Sequence, residues 1–258
     1  MSAETSLRIA RDLLALGVRP GGVILMHSSL SSLGHTPGGP ETVIQGLLAA
    51  LGPEGTLLLP ALSYDLVTRE QPVFDVARTP SCVGAIPEYF RTRPGSRRSV
   101  HPTHSVCGVG PLAEAILSGH DLDRTPVGEH SPFRKLRDLG GQLLFLGCGL
   151  RPNTSMHGVE ELAMPPYLFG PDIEYRIILA DGQERHVTHR RHGFAGWWQK
   201  YDRMGTLLTK GSELRVGPVL QATAHLVECA PLWAKALRAM EKDPFYFVER
   251  ETLRQPGD

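Results

Sequence analysis

Three short runs of apolar residues, at positions 23–26, 56–60 and 143–147, most constrain what this chain can fold into. Each run is continuous and does not alternate with polar residues, which is typical of strands buried on both faces of a parallel sheet. Between the first two runs, residues 41–51 place apolar side chains at helical spacing and end at Gly52-Pro53. A strand, a helix and a strand within about forty residues predict a parallel pair joined by a crossover helix.

The remaining pattern predicts a three-layer α/β/α fold with a central, largely parallel sheet and a smaller C-terminal β-containing lobe. The length suits a single domain at 1–258, in which residues 172–216 form a small β-rich subregion around the turn Asp181-Gly182. A helix that follows a Thr5 cap and ends at Gly17 precedes the first strand. The other predicted elements are helices at 82–91, 219–227 and 231–240, strands at 173–179, 184–188 and 207–216, and an irregular polar segment at 63–80.

Charge and cysteine content exclude several classes of protein. The 27 basic and 27 acidic residues give a formal charge of +0, so no global basic field attracts nucleic acid. The four cysteines are scattered without a CxxC pair, which argues against a disulfide scaffold or a structural zinc site. No signal peptide is evident, and no window approaches the ~18 apolar residues of a membrane span. We therefore expect a cytoplasmic protein that binds neither nucleic acid nor membrane.

The segment at 153–160 carries the strongest chemical signal, because it follows the third apolar run. Asn153 or Thr154 is expected to cap a short helix that Pro165 stops. On that helix His157 and Glu160 are three residues apart, so their side chains share a face. A carboxylate beside an imidazole fixes its tautomer and supports it as a base. The alternative is a solvated surface pair, which arises often at this spacing.

Two other polar segments are candidates for binding a ligand. One follows a predicted strand, and the other lies in a loop that Pro102 makes rigid. His27-Ser28-Ser29 comes directly after the first apolar run, where small hydroxyl residues let backbone amides approach a ligand. Residues 101–105 place two imidazoles and two hydroxyls around Pro102. On its own, the first segment is more typical of an ordinary turn at the end of a strand. The two histidines of the second segment, three residues apart, suggest a metal, but no third ligand is obvious nearby. No GxGxxG, Walker-type loop or G-x-S-x-G elbow is present. A serine hydrolase nonetheless stays open, with Ser28, Ser29 or Ser105 as the nucleophile.

A third cluster contains His186, His189 and His192. In a strand the first and last of these would face one way and His189 the other, which is a poor arrangement for one metal site. We therefore expect no bound metal. A histidine that lines the active cleft is the functional interpretation, and a solvated basic segment is the alternative.

Taken in order along the chain, these motifs resemble the aminoglycoside 3-N-acetyltransferase family. The resemblance covers nearly the whole chain and includes the late helices and Asp243-Pro244. The matching positions are 27–34, Phe74-Asp75, 79–81, Phe90-Arg91, Pro94-Gly95, Arg98-Ser99, His101-Pro102, Ser105, 108–110, Gly128, Ser131-Pro132, 144–147, Asn153-Thr154, His157 and Glu160.

This resemblance implies an acetyltransferase-like domain that takes acetyl-CoA as cosubstrate and donor, and a small-molecule amine as acceptor. It implies that His157 is the general base, that Glu160 orients it, and that Thr154 stabilises the tetrahedral intermediate. It also implies that two segments hold the pantetheine arm of the cofactor. The expected cofactor-binding residues are His27, Ser28, Ser29, Leu30, His101, Thr103, Ser105 and Val106.

The acceptor side departs from the drug-modifying members that the chain resembles. The segment at 61–73 is shorter than theirs and has only Asp65 and Glu70 as acids, whereas a polycationic aminoglycoside needs several carboxylates. The basic stretch at 189–194 favours a smaller or anionic amine. The expected acceptor-binding residues are Tyr64, Asp65, Asn153, His189 and His192.

The sequence also leaves open two other functions and the formation of a homodimer. A serine- or zinc-dependent hydrolase would use the serines or the histidine clusters, and a non-catalytic CoA-binding relative would keep the cleft without turnover. Apolar loop residues are compatible with a homodimer interface as much as with the core. They are Trp197, Trp198, Phe245 and Tyr246.

Overall fold

The computed structural model describes residues 1–250, which form seven α-helices and twelve strands. The helices are α1 (Ser2–Leu16), α2 (Gly39–Leu51), α3 (Ala85–Thr92), α4 (Ala113–Leu117), α5 (Pro132–Asp138), α6 (Met156–Ala163) and α7 (Cys229–Lys242). The strands are β1 (Val23–Ser28), β2 (Thr56–Pro60), β3 (Val73–Asp75), β4 (Arg97–Arg98), β5 (Val106–Val109), β6 (Gln142–Leu146), β7 (Phe169–Ile178), β8 (Glu184–His192), β9 (Trp197–Gln199), β10 (Leu214–Val219), β11 (Ala222–Glu228) and β12 (Val248–Arg250).

The three apolar runs become the centre of a seven-stranded sheet in the order β10-β11-β6-β1-β2-β5-β4. Strand β1 pairs in parallel with β2 on one side and with β6 on the other. Five of the seven strands run in the same direction, and only β11 and β5 run opposite to their neighbours. The predicted α/β class and the predominantly parallel sheet are therefore confirmed.

Two hydrophobic cores cover the two faces of this sheet. Ile24 and Met26 of β1 pack in the core that contains α1, α2 and α3. Their neighbours Val23 and Leu25 point to the opposite face, where α4, α5, α6 and α7 pack. Both sets of side chains are buried because the strand is covered on both sides. This is the three-layer arrangement that the continuous apolar runs predict.

The predicted hairpin around Asp181-Gly182 is also present, as the antiparallel pair β7–β8. It forms a separate three-stranded sheet with β3, which pairs in parallel with β7. The segment at 63–80, predicted to be irregular, thus contains one short strand. Trp197 of β9 packs against Phe245, whereas Trp198 is half exposed. In the part of the chain described, no helix combines the length and the apolar character needed to cross a bilayer.

Two predicted elements are wrong near the C-terminus. Residues 219–227, predicted as a helix, lie mainly in β11, which pairs antiparallel with both β10 and β6. Alanine and leucine favour a helix locally, but alternate residues of this segment are buried against the sheet, and strand pairing overrides propensity. The strand predicted at 207–216 begins only at Leu214.

The predicted Thr5 cap is also wrong, because α1 begins earlier. The helix starts at Ser2, and the hydroxyl of Thr5 donates to the carbonyl oxygen of Met1 within its first turn. Helix starts are defined by backbone hydrogen bonds, and several residues of this polar segment are compatible with the first turn. The predicted end at Gly17 is confirmed, since Gly17 adopts the left-handed conformation.

The close approach of α1 and α2 gives a test of this packing. A Cβ atom added at Gly46 would lie 2.6 Å from Cγ2 of Ile9. Helix propensity alone predicts that Gly46→Ala stabilises the protein by about 1 kcal/mol. We expect the opposite, a free energy of unfolding lowered by about 1–2 kcal/mol in urea titrations, because overpacking costs ~1–3 kcal/mol. The exposed neighbour Gln45→Ala should change it by less than about 0.5 kcal/mol. A stabilised Gly46→Ala variant would contradict this helix contact.

Candidate active site

A cavity of about 660 Å³ lies at the carboxyl ends of the three central parallel strands. His27 and Ser28 reach it from β1, Pro60 from β2, and Cys148 from the loop after β6. This is the edge at which open α/β sheets bind their ligands, because the loops that follow neighbouring strands converge there. The start of α6 and the end of β8 complete the wall.

The turn that precedes α6 is stabilised by hydrogen bonds to the side chain of Asn153. The amide oxygen Oδ1 of Asn153 accepts from the backbone N–H of Ser155 at 3.1 Å and from its hydroxyl at 2.9 Å. The helix cap is Ser155, so the predicted cap at Asn153 or Thr154 lies one to two residues too early. Asn153 stabilises the preceding turn instead. The helix ends at Ala163, before Pro165 as predicted.

His157 and Glu160 form the predicted pair on the first turns of α6. Nδ1 of His157 lies 3.2 Å from Oε2 of Glu160 and 2.9 Å from the hydroxyl of Tyr201. The Tyr201 hydroxyl donates to the same carboxylate oxygen at 2.7 Å, and Tyr167 donates to Oε1 at 3.0 Å. Glu160 is completely buried, whereas the His157 side chain is 14 % exposed and lines the cavity.

The two tyrosines keep their protons in this arrangement. Burial, reinforced by the adjacent Glu160 carboxylate, raises the pKa of Tyr201 well above its ordinary value. The same two causes raise the pKa of Tyr167. Since both hydroxyls donate to a carboxylate that can only accept, Nδ1 of His157 is the remaining donor to the group. In a neutral imidazole this arrangement places the proton on Nδ1 and the lone pair on Nε2.

A second imidazole–carboxylate pair lies beside the first. Nε2 of His192 is 2.8 Å from Oε1 of Glu161, the residue that follows Glu160 on α6. Burial raises the pKa of the Glu161 carboxyl, against the hydrogen bonds donated by Thr125 and the backbone of Val127. Burial, and then the nearby His157, lower the pKa of His192 well below its usual value.

His104 completes the imidazole group from a third direction. Its ring centroid lies 5.4 Å from that of His157 and 5.5 Å from that of His192. Nδ1 of His104 is 2.8 Å from the hydroxyl of Thr103. Burial, followed by the proximity of His157 and His192, lowers the pKa of His104 well below its usual value.

The three histidines of β8 differ in burial. His186 is exposed, whereas both His189 and His192 are buried. The register of β7 and β8 shifts between Phe169 and Asp172, directly opposite the end of β8. The extra residue lies in β7, so β8 stays regular from Arg190 to His192, and His192 is buried because it contacts Glu161 of α6.

The structure brings together about half of the residues predicted for the site. Among the predicted residues, the cavity wall contains His27, Ser28, Tyr64, Asn153, Thr154, His157 and His192. Ser29 and Leu30 instead line an adjoining depression of about 650 Å³, which shares Ser28 with the cavity. Glu160 lies behind His157 and is fully buried.

The other predicted residues lie away from the cavity wall. Asp65 is exposed, and His189 is buried beside His101. The remaining members stabilise the loop that carries His104: Nδ1 of His101 accepts from the backbone N–H of both Thr103 and His104. Besides Ser29, Leu30 and Glu160, the predicted residues that do not line the cavity are Asp65, His101, Thr103, Ser105, Val106 and His189.

Sequence reasoning missed Tyr201, Tyr167 and Glu161. Tyr201 opens a 3₁₀ turn 44 residues after His157, and no local pattern marks it. The spacing argument paired His157 with Glu160 and gave no role to Glu161, because the partner of Glu161, His192, lies far along the chain. None of Ser28, Ser29 and Ser105 makes a hydrogen bond to an imidazole within residues 1–250. A serine–histidine nucleophile is therefore not assembled at any of these three serines.

The charges on the cavity wall are basic. Arg151 and Arg191 line it, and no carboxylate side chain of the described residues does. Arg191 is fixed by a hydrogen bond of 2.8 Å that it donates to the carbonyl oxygen of Tyr64. The wall thus lacks the groups that would pair with several cationic amines at once.

Comparison with known proteins identifies the family. The sequence profile of the family described as aminoglycoside 3-N-acetyltransferase matches residues 25–241. Aminoglycoside N(3)-acetyltransferase IV from Salmonella sp is 35 % identical over 239 residues, which cover 92 % of this chain and 87 % of that protein. The chain therefore belongs to the aminoglycoside 3-N-acetyltransferase family.

Solved structures agree with this assignment. A mutant of aminoglycoside acetyltransferase AAC(3)-IVa in complex with a gentamicin is 34 % identical, with a TM-score of 0.81 over 94 % of this chain and 90 % of that chain. AAC-IIIb in a binary complex with CoASH is 32 % identical, with a TM-score of 0.79 over 91 % and 95 % of the two chains.

The buried imidazoles behind the site predict acid lability. Burial lowers the pKa of His120 from 6.5 to about 3, while Ser99 and the carbonyl oxygen of Pro126 contact its ring. Unfolding restores the ordinary value, so this contribution to stability is complete above pH 6.5 and is lost as the pH falls towards 3. Each such group adds a slope of about 1.4 kcal/mol per pH unit to the free energy of unfolding.

Urea titrations between about pH 5.5 and 4.5 test whether the free energy of unfolding falls with pH as His120 predicts. Across that window the slope should be lower in His120→Asn than in the unmodified protein by about 1.4 kcal/mol per pH unit. The exposed His186→Asn serves as the matched control and should keep the original slope. Equal slopes in all three proteins would show that His120 is not buried in its neutral form.

Proposed function

We propose that this protein transfers the acetyl group of acetyl-CoA directly to a small amine, with His157 as the general base. The observation that carries the proposal is the hydrogen-bonded group of His157, Glu160 and Tyr201 at the cavity wall. The solved relatives, AAC-IIIb with CoASH and AAC(3)-IVa with a gentamicin, support the classes of donor and acceptor.

The base acts through Nε2 of His157. An amine attacks a thioester only as a neutral nucleophile, so the imidazole removes one proton from the acceptor nitrogen as the new C–N bond forms. Glu160 holds the ring through Nδ1 and stabilises the imidazolium that results. The imidazolium then returns the proton to the departing thiolate when the C–S bond breaks. Tyr201 and Tyr167 hold the carboxylate in place.

Groups at the start of α6 can stabilise the oxyanion of the tetrahedral intermediate. Thr154 lines the cavity one turn before His157, and its carbonyl oxygen accepts from the backbone N–H of His157. A hydroxyl and the positive end of a helix both favour negative charge on the tetrahedral oxygen. Thr154 therefore stabilises the intermediate on the same side as the base.

The end of β1 fits the cosubstrate. Nε2 of His27 and the hydroxyl of Ser28 are buried polar atoms without a hydrogen-bond partner among residues 1–250. Such atoms are costly unless a ligand satisfies them. Ser28 also joins the cavity to the depression lined by Ser29 and Leu30. The pantetheine arm is proposed to pass along this depression and to present the acetyl group to the cavity.

Replacement of the base tests the mechanism. His157→Ala should lower kcat by about 10²–10⁴, the usual contribution of general base catalysis, while CoA binding stays close to normal in calorimetry. Glu160→Gln should lose less activity, because it disturbs the orientation of the ring and leaves the base present. The exposed His186→Ala serves as the control. Near-normal turnover by His157→Ala would remove His157 from this role.

The charge of the wall predicts the acceptor. With Arg151 and Arg191 on the wall and no carboxylate among the described residues there, we expect neutral or anionic amines to give a higher kcat/KM than aminoglycosides. Initial rates of CoA release with a panel of amines matched in size and graded in charge measure this preference. In the double variant Arg151→Gln, Arg191→Gln, the kcat/KM values for anionic and cationic acceptors should differ less than in the unmodified protein. High kcat/KM across a broad aminoglycoside panel would contradict the predicted preference.

A further inference from the structure

Three imidazoles converge at the cavity in a way that the proposed acetyl transfer does not require. One ring nitrogen from each of His104, His157 and His192 lies within 4.8 Å of the other two. We propose that this triad binds a divalent ion of the zinc class and that the bound ion blocks the catalytic base. The inhibitory part of this proposal rests on the proposed function, whereas the metal site does not.

Each ring already uses one nitrogen and leaves the other available. Nδ1 of His104 contacts the Thr103 hydroxyl, and Nδ1 of His157 contacts Glu160 and Tyr201. Nε2 of His192 contacts Glu161, and its Nδ1 is buried without a hydrogen-bond partner in the described chain. The nitrogens left for an ion are therefore Nε2 of His104, Nε2 of His157 and Nδ1 of His192.

The partners on the far side of the rings are those that metal-binding histidines use. A ligating imidazole almost always donates its second N–H to a carboxylate, a carbonyl or a water, which fixes its tautomer and orientation. Here two of the three rings lie against carboxylates, Glu160 and Glu161, which are consecutive on α6. These buried acids also offset the charge of a cation that their rings would bind.

The geometry suits zinc better than a hard cation. Three imidazoles and no carboxylate ligand favour Zn²⁺ or Co²⁺ over Mg²⁺ or Ca²⁺. Tetrahedral coordination at about 2.0–2.1 Å would place the nitrogens about 3.4 Å apart, closer than the present limit of 4.8 Å. The three rings must therefore move closer together to bind an ion, and the His157 ring can move because its side chain is partly exposed. The cavity gives the ion access and leaves its fourth position for water.

The consequence is competition for one lone pair. Nε2 of His157 cannot accept the proton of an amine while it is bound to a metal ion. The proposal therefore predicts reversible loss of acetyl transfer when zinc is present, and recovery with a chelator. It also explains why sequence spacing does not reveal the site, since the three ligands come from a loop, α6 and β8.

Metal titration of the metal-free protein tests the site without any activity assay. Co²⁺ should bind at one equivalent with the visible absorption bands of a tetrahedral centre, and Zn²⁺ should displace it in calorimetry. His192→Gln should weaken binding by more than about 10-fold, and Glu161→Gln by about 10-fold, since outer partners contribute that much. The exposed His186→Gln should bind as the unmodified protein does. His104→Gln provides a second ligand variant if His192→Gln does not fold.

The outcomes separate the two proposals. Absence of tetrahedral Co²⁺ bands, or equal affinity in the unmodified protein and a folded ligand variant, overturns the metal site. Stoichiometric binding that leaves acetyl transfer unchanged at saturating Zn²⁺ overturns the inhibitory role. Binding that His192→Gln weakens, in a protein that acetylates no amine, supports the metal site and instead removes the proposed function.

Discussion

The site depends on one buried carboxylate, that of Glu160. A buried charge is costly unless hydrogen bonds satisfy it, and Glu160 is fully buried. Its oxygens lie within hydrogen-bond distance of Tyr167, Tyr201 and His157. These donors come from α6, the segment before β7 and the turn before β10. Loss of Tyr167 would leave Oε1 without its donor, and loss of Tyr201 would leave Oε2 with His157 alone, so this carboxylate fixes three parts of the chain around His157.

Helix α6 joins the main sheet to the β7–β8 hairpin through its two consecutive acids. Side chains one residue apart on a helix point in different directions. Glu160 therefore contacts His157 and the two tyrosines, while Glu161 contacts His192 at the end of β8. Glycine at position 158 allows this helix to approach α7, since a Cβ atom there would overlap the Trp233 ring. The position of α6 thus sets the position of both imidazoles.

Much of the fold was predictable, because strands covered on both faces must be apolar at every position. That constraint marks β1, β2 and β6, and helical spacing marks α2 and α7. The same kind of argument failed for β11, whose alanines and leucines suit either element. There the strand was decided by pairing with β6, which lies far earlier in the chain, and with the hairpin neighbour β10. Local composition carries no information about such pairing.

For the site itself, the sequence alone determined the His157–Glu160 pair, because helix geometry brings residues three apart together whatever the rest of the chain does. Only the tertiary structure decided that Tyr201, His104 and His192 join them. Their separations depend on the order of strands in the sheet and on the irregular end of the β7–β8 hairpin. These are properties of long-range packing, and no periodicity within the sequence encodes them.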